Sequence, residues 1–232
     1  MEYSMDMRNI GKIFLDIFFP CLCASCSRPI SEGLAICEDC FLKIKTEPEM
    51  RCAVCFSRIP EGTSSSCHNE GVIFSACRYE GLMKNIITLA KFKKSQGAAK
   101  LAGFILAGAL EKANLNLSDF CLVEIPLHPA RQKERGFNQS HLIAKEVGEI
   151  LNLPLLNGAL ERVRDTKPQT SLKSKERKSN MEGAFVGHKE VLSGKNILLI
   201  DDVSTTGATL REASRAAKNA LCNKIVGVSV CS

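Results

Sequence analysis

Ile197-Leu-Leu-Ile-Asp-Asp-Val-Ser-Thr-Thr-Gly-Ala-Thr-Leu210 is the stretch that decides the fold. Its first part, Asn196 to Ile200, is apolar without alternation once Asn196 is passed, as expected of a central parallel strand covered on both faces. Two adjacent carboxylates, Asp201 and Asp202, stand at the end of that strand. A turn of small hydroxylated residues follows, and then a helix. Gly207 permits close approach of a ligand to the backbone. The unpaired N–H groups at the helix start favour a phosphate. Thr205, Thr206 and Thr209 add hydroxyl donors. Two carboxylates beside such a nest would repel a bare polyphosphate. They suit a sugar phosphate, whose ribose hydroxyls donate to them, with a divalent ion nearby. An acidic turn that merely caps a helix would account for one Asp and one Thr, not for the whole string.

Outward from this stretch the chain alternates between helical and strand patterns. Asn85–Lys94, Ala98–Lys112, Ser140–Leu151 and Thr209–Leu221 read as helices. Cys121–Ile125 and Lys224–Val230 read as strands beside Asn196–Ile200. Such alternation predicts an α/β fold with a parallel sheet and a ligand at the C-terminal strand ends. The segment between Pro126 and Phe137 reads as a loop after a strand. It carries Arg131, Lys133 and Arg135 against Glu134, and guanidinium forks match phosphate oxygens. A second basic segment, 161–178, holds seven Lys and Arg, including Lys167, Lys173, Lys175, Arg177 and Lys178, against three acids. It reads as closure over an anion, as a track for a nucleic-acid backbone, or as a solvated surface loop. His128 reads equally as a group facing a leaving group or as a packing residue, and His141 and His188 show no partner in the sequence.

The cysteines divide the chain. Of twelve, eight lie in the first 67 residues. Cys23-x-x-Cys26, Cys37-x-x-Cys40 and Cys52-x-x-Cys55 recur at an interval of 14 to 15 residues, and Cys67 continues the series. Each C-x-x-C turn aims two thiolates at one point, and two turns complete a tetrahedral zinc site. Disulfide frameworks rarely keep so regular an interval, so the spacing predicts structural zinc. The fourth turn is broken, because Glu70 stands where a cysteine would. The second site then has Cys52, Cys55 and Cys67, with His68, Glu70 or Cys77 as its fourth ligand, or it is empty. Cys21 reads as a small buried hydrophobe. The shift in cysteine content divides the chain into a zinc-ribbon module, 1–72, and an α/β domain, 73–232. Within 21–67 five basic residues face six acidic ones, so the ribbon reads as structural rather than as a direct contact to DNA.

Composition bounds the rest. The 232 residues carry a net charge of +6, and 45% are hydrophobic, as in a folded globular chain. The excess charge suits an anionic partner. There is no Trp and there are two Tyr, which disfavours strong stacking on nucleic-acid bases. Ile10, Ile13, Phe14, Ile17 and Phe18 form one stripe of an amphipathic helix, ended by Pro20. The stretch is too short and too interrupted to span a membrane. It also lacks the form of a secretory signal, which leads to the expectation of a reducing, cytoplasmic setting.

The 197–210 string resembles the phosphoribosyl pyrophosphate (PRPP) motif of type I phosphoribosyltransferases. Ile125-Pro-Leu-His-Pro-Ala-Arg-Gln-Lys-Glu-Arg-Gly-Phe-Asn-Gln139 resembles a signature of the ComF competence proteins. Arg162, Thr166-Lys-Pro-Gln169, Leu172, Arg177, Asn180 and Ala184-Phe185 extend that likeness, as does a cysteine ribbon ahead of the transferase-like domain. The resemblance implies that Asp201 and Asp202 hold the ribose hydroxyls. It implies that Thr205, Thr206, Gly207, Ala208 and Thr209 hold the 5′-phosphate, and that Arg131, Lys133 and Arg135, with Mg²⁺, meet pyrophosphate. It further implies a role in natural transformation, with single-stranded DNA and other competence proteins as partners. Transfer to an acceptor that the sequence does not name, and PRPP sensing or DNA binding without turnover, remain alternatives.

Overall fold

A computed structural model of the chain describes residues 21–31, 33–60, 71–165 and 181–232. The amphipathic stripe at 10–18, Cys67, His68, Glu70 and the basic residues Lys167, Lys173, Lys175, Arg177 and Lys178 lie outside the described residues. In chain order the elements are α1 (Glu38–Phe41), β1 (Glu49–Cys52), β2 (Arg58–Ile59), β3 (Val72–Cys77), α2 (Gly81–Phe92), α3 (Gln96–Lys112) and β4 (Phe120–Glu124). They continue as α4 (Pro129–Arg135), α5 (Gln139–Leu151), β5 (Leu160–Arg162), β6 (Phe185–Gly187), α6 (Lys189–Leu192), β7 (Asn196–Val203), α7 (Ala208–Asn219) and β8 (Lys224–Cys231).

Six strands form one sheet in the order β2-β1-β3-β8-β7-β4. The run β3-β8-β7-β4 is parallel, while β1 pairs antiparallel with both β3 and β2. The expected α/β architecture with a parallel sheet is therefore present. β7 shows why its sequence does not alternate. Leu198 and Ile200 face a core built with α2, α3 and α5. Ile197 and Leu199 face the opposite core, with Ala213, Ala216 and Ala217 of α7. A strand buried on both faces has no polar side to show. Between β3 and β8 the Ser75 and Ser229 hydroxyls bond at 2.8 Å, which satisfies two polar groups in the sheet interior.

The helical layer is tight where α3 crosses α5. A Cβ at Gly103 would lie 2.7 Å from the Glu146 Cβ and 2.9 Å from the Ile143 carbonyl oxygen. Only a residue without a side chain lets these backbones approach so closely. The four-cysteine region rests on the same side of the sheet, with Cys23, Ile36 and Cys40 buried against the α2 and α3 core. Asn85 of α2 donates to the Ala24 carbonyl at 3.2 Å. β5 and β6 form a separate antiparallel hairpin, with β6 packed on α7.

Three sequence expectations shift. β7 runs on to Val203, so both acids belong to the strand rather than follow it. The segment read as a basic loop is in large part α4, seated by Pro129 at its start and by His128, whose Nδ1 accepts from the Ala130 N–H at 3.4 Å. Cys21 is exposed, not buried.

Candidate functional site

A cavity of about 320 Å³ opens at the C-terminal end of β7. Asp201 and Asp202 stand at its floor, both almost fully buried. Asp201 Oδ1 accepts from the Asp202 backbone N–H at 2.9 Å and from the Ser140 hydroxyl at 3.3 Å. Burial first, and the adjacent Asp202 charge second, push the Asp201 carboxyl up to about 7, against the opposing pull of Lys91 and Arg162. Asp202 pairs with Lys91 of α2 at 2.8 Å. Burial would lower the Lys91 ammonium, but the Asp202 and Asp201 carboxylates outweigh it, and its pKa is raised. Lys91 and Asp202 thus form an ion pair inside the protein.

Beyond the acids the chain turns through Ser204 and Gly207 into α7. The Ser204 N–H bonds the Cys231 carbonyl at 2.9 Å, tying the loop to the end of β8. Gly207 adopts φ +67° at the N-cap of α7. This is the left-handed region, in which glycine carries no Cβ penalty. Gly207 brings no side chain to cap α7, so the helix start presents its backbone N–H groups at the loop. The Ser204 Oγ and Thr206 Oγ1 are shielded from solvent and have no hydrogen-bond partner among the described residues.

Arg131 and Arg135 of α4 line the cavity, as do Arg162 of β5, Lys94, Tyr79, Phe92 and Thr209. Lys133 of the same helix is exposed and is not among the cavity-lining residues. Arg162 is 8% exposed, and its guanidinium lies 5.5 Å over the Phe185 ring. Burial first, then the Arg131 charge, lowers the Arg162 pKa to about 10. Five cations and three carboxylates therefore share one cavity, an arrangement that attracts an anion while keeping acceptors for hydroxyl groups.

Two contributors escaped the sequence. Lys91 and Ser140 sit on helices far along the chain from the acids they touch, and no local pattern marks them. Arg162 entered as one cation of the basic 161–178 segment and through a family likeness. The histidines do find neighbours: His128 with Asp165 at 3.9 Å, His141 with Glu124 at 3.5 Å, and His188 with Glu190 at 3.5 Å.

The second chemical centre is the cysteine cluster. The sulfurs of Cys23, Cys26, Cys37 and Cys40 all lie within 4.8 Å of one another, with Cys26 and Cys37 at 3.6 Å. Tetrahedral zinc with bonds near 2.3 Å separates its sulfurs by roughly 3.8 Å, so the set fits that ion. The Cys37 N–H points at the Cys23 sulfur at 3.3 Å. Burial would raise the Cys23 thiol, but N–H groups of Cys26, Cys37 and Ser25 and the Cys26 side chain outweigh it and bring it down to about 6. Among the described residues this is the one group of three or more such ligands. Cys52 and Cys55 lie apart from it, near Arg211 of α7. Cys77 ends β3 in register with Cys231, deep in the core.

No known protein-family model matches the chain. The DNA utilization protein YhgH of Salmonella typhimurium is 29% identical over 198 residues, which cover 84% of this chain and 82% of that protein. Competence protein F of Haemophilus influenzae is 36% identical over 96 residues, or 40% of this chain and 42% of that one. Among solved structures, the allosteric regulatory enzyme of purine biosynthesis superposes with a TM-score of 0.39 at 18% identity. That superposition covers 58% of this chain and 26% of that one. Competence protein ComFC of Bacillus subtilis is 31% identical over 196 residues, spanning 84% of this chain and 70% of its own length. With likeness of that extent, and with the cysteine cluster and the parallel sheet in place, the chain belongs to the ComF family of competence proteins.

Proposed function

We propose that the chain binds PRPP, with Mg²⁺, in the cavity at the end of β7 and serves DNA uptake. One observation carries this reading. Two buried carboxylates on β7 run directly into a left-handed Gly207 turn at the start of a helix, beneath a set of arginines. Asp201 and Asp202 accept from the ribose hydroxyls. The 5′-phosphate lies against the Thr205–Thr209 N–H groups. It offers the Ser204 and Thr206 hydroxyls the partner they lack. Arg131, Arg135 and Arg162 face the pyrophosphate, where bidentate bonds to phosphate oxygens are strong. Lys91, paired with Asp202 at 2.8 Å, holds that carboxylate in place. Mg²⁺, when bound, would neutralise pyrophosphate charge.

Transfer would follow from the same geometry. An acceptor attacks C1′, the C1′–O bond breaks, and pyrophosphate leaves with that electron pair. The arginines stabilise the leaving charge and the carboxylates fix the ring. Binding without pyrophosphate release is the sensor alternative. The printed names of the relatives, competence protein and DNA utilization protein, support the link to DNA.

Calorimetric titration with PRPP and Mg²⁺ tests the site. The wild-type chain is expected to bind. The triple variant Lys91→Met, Asp201→Asn, Asp202→Asn removes the acids together with the buried cation that would otherwise be stranded. It is expected to stay folded and not bind. Equal affinity in both proteins would overturn the assignment.

A further inference from the structure

The second cysteine turn lies apart from the four-cysteine cluster, and it touches the phosphate loop. The turn closes through the Phe56 N–H on the Cys52 carbonyl at 2.9 Å and the Val54 N–H on the Cys52 sulfur at 3.4 Å. It leaves Phe56 at φ +64°, a conformation that costs free energy in a bulky residue and persists only where the surroundings enforce it. Arg51 enforces it here. Its Nη1 donates to the Phe56 carbonyl at 3.1 Å, and its guanidinium lies 4.9 Å over the Phe56 ring. Glu49 holds Arg51 at 2.8 Å and accepts from the Ser232 hydroxyl at 2.5 Å.

The ring that this strained turn presents goes under Gly207. A Cβ built on Gly207 would lie 2.8 Å from Phe56 Cδ2 and 3.0 Å from Ile73 Cδ1. The Arg211 guanidinium closes the same point at 2.9 Å and reaches toward Cys52 and Cys55. Phe56 packs with the core that includes Ile73, Ala208 and Leu210. The one left-handed residue of the phosphate loop is thus clamped by a side chain from outside the strand–turn–helix unit.

We propose that Phe56 is a positioning residue of the phosphate site: its ring, fixed by Arg51, holds Gly207 in the left-handed turn that aims the loop N–H groups at an anion. The cysteine-rich module thereby contributes to the site itself. The identity of the anion rests on the reading given above, but the clamp does not.

The test uses amide hydrogen exchange of the full chain without ligand, followed by PRPP titration. In Phe56→Ala the amides of Ser204 and Arg211, which bond the Cys231 and Gly207 carbonyls, are expected to exchange about tenfold faster, while those of α5 keep their rates. Phe56→Leu, which keeps an apolar side chain under Gly207, is expected to restore most of the protection. PRPP affinity is expected to fall about tenfold in Phe56→Ala and to recover in Phe56→Leu. Unchanged loop exchange overturns the proposal, and so does a uniform rise across α5 and the loop, which would make Phe56 a general packing residue. A wild-type chain that ignores PRPP while Phe56→Ala still loosens the loop would sink the ligand reading and uphold the clamp.

Discussion

At the scale of single residues, Asp201 is a carboxyl held away from water beside a second one, and this has a pH signature. Its folded pKa is raised to about 7, whereas an unfolded Asp titrates near 4. Between those values the folded chain binds more protons than the unfolded one. Stability contributed by the protonated form is therefore present below about pH 4 and is lost as pH rises toward 7. Asp201→Asn keeps the size and the acceptor for Ser140 and removes the titration. Urea unfolding from pH 4.5 to 8 is expected to show the wild type losing stability relative to this variant, by a few kcal/mol at most. Parallel pH profiles would show that Asp201 titrates normally. Lys91 works in the opposite sense, since its ammonium pairs with Asp202 and pulls the Asp201 carboxyl down.

At the scale of elements, the cysteine pairs act as hinges that replace a core. Residues 21–42 contain one short helix and an isolated bridge between Leu22 and Pro29. So little regular structure rarely orders a segment unless a metal or a disulfide is added. A strong chelator is expected to release zinc from the first cluster and to raise exchange across residues 21–42, leaving β7 and β8 protected. Cys40→Ser is expected to lose that zinc, whereas Cys222→Ser, far from the cluster, keeps it. A native preparation without zinc by elemental analysis would contradict this. The strand–turn–helix unit shows the same economy: β7 delivers two acids, Gly207 turns the chain, and α7 starts at once behind it.

At the scale of the whole molecule, the boundary read at residue 72 falls at the first residue of β3. Across it, β1 continues the sheet: Glu49–Cys52 pairs with Val72–Ser75 residue for residue. A fragment starting at residue 73 would strip β1 and β2 from β3, whose Ile73, Phe74 and Ala76 are buried. An unpaired hydrophobic edge strand invites association. The 73–232 fragment is expected to aggregate or melt well below the full chain in light scattering and calorimetry. A fragment starting at residue 47 keeps the six strands and Phe56 and is expected to stay monodisperse. Equal behaviour of the two fragments would show that β1 adds nothing to the sheet.

By itself the sequence determined what is local. The apolar run, the acid pair and the glycine turn sit within fourteen residues, so strand, carboxylates and phosphate loop were all legible there. The regular cysteine pairs were legible for the same reason, since a C-x-x-C turn aims its thiolates without help from the rest of the chain. Tertiary structure decided everything that depends on distant partners. Lys91 meets Asp202, and Phe56 meets Gly207, only because the sheet order brings α2 and the β1–β2 turn to the end of β7. The helix at 129–135 was read as a loop because it has no buried face: none of its residues is buried, so no hydrophobic period marks it. Side-chain periodicity records which face of an element is buried, while the partner that covers it is set by topology, which no short stretch of sequence contains.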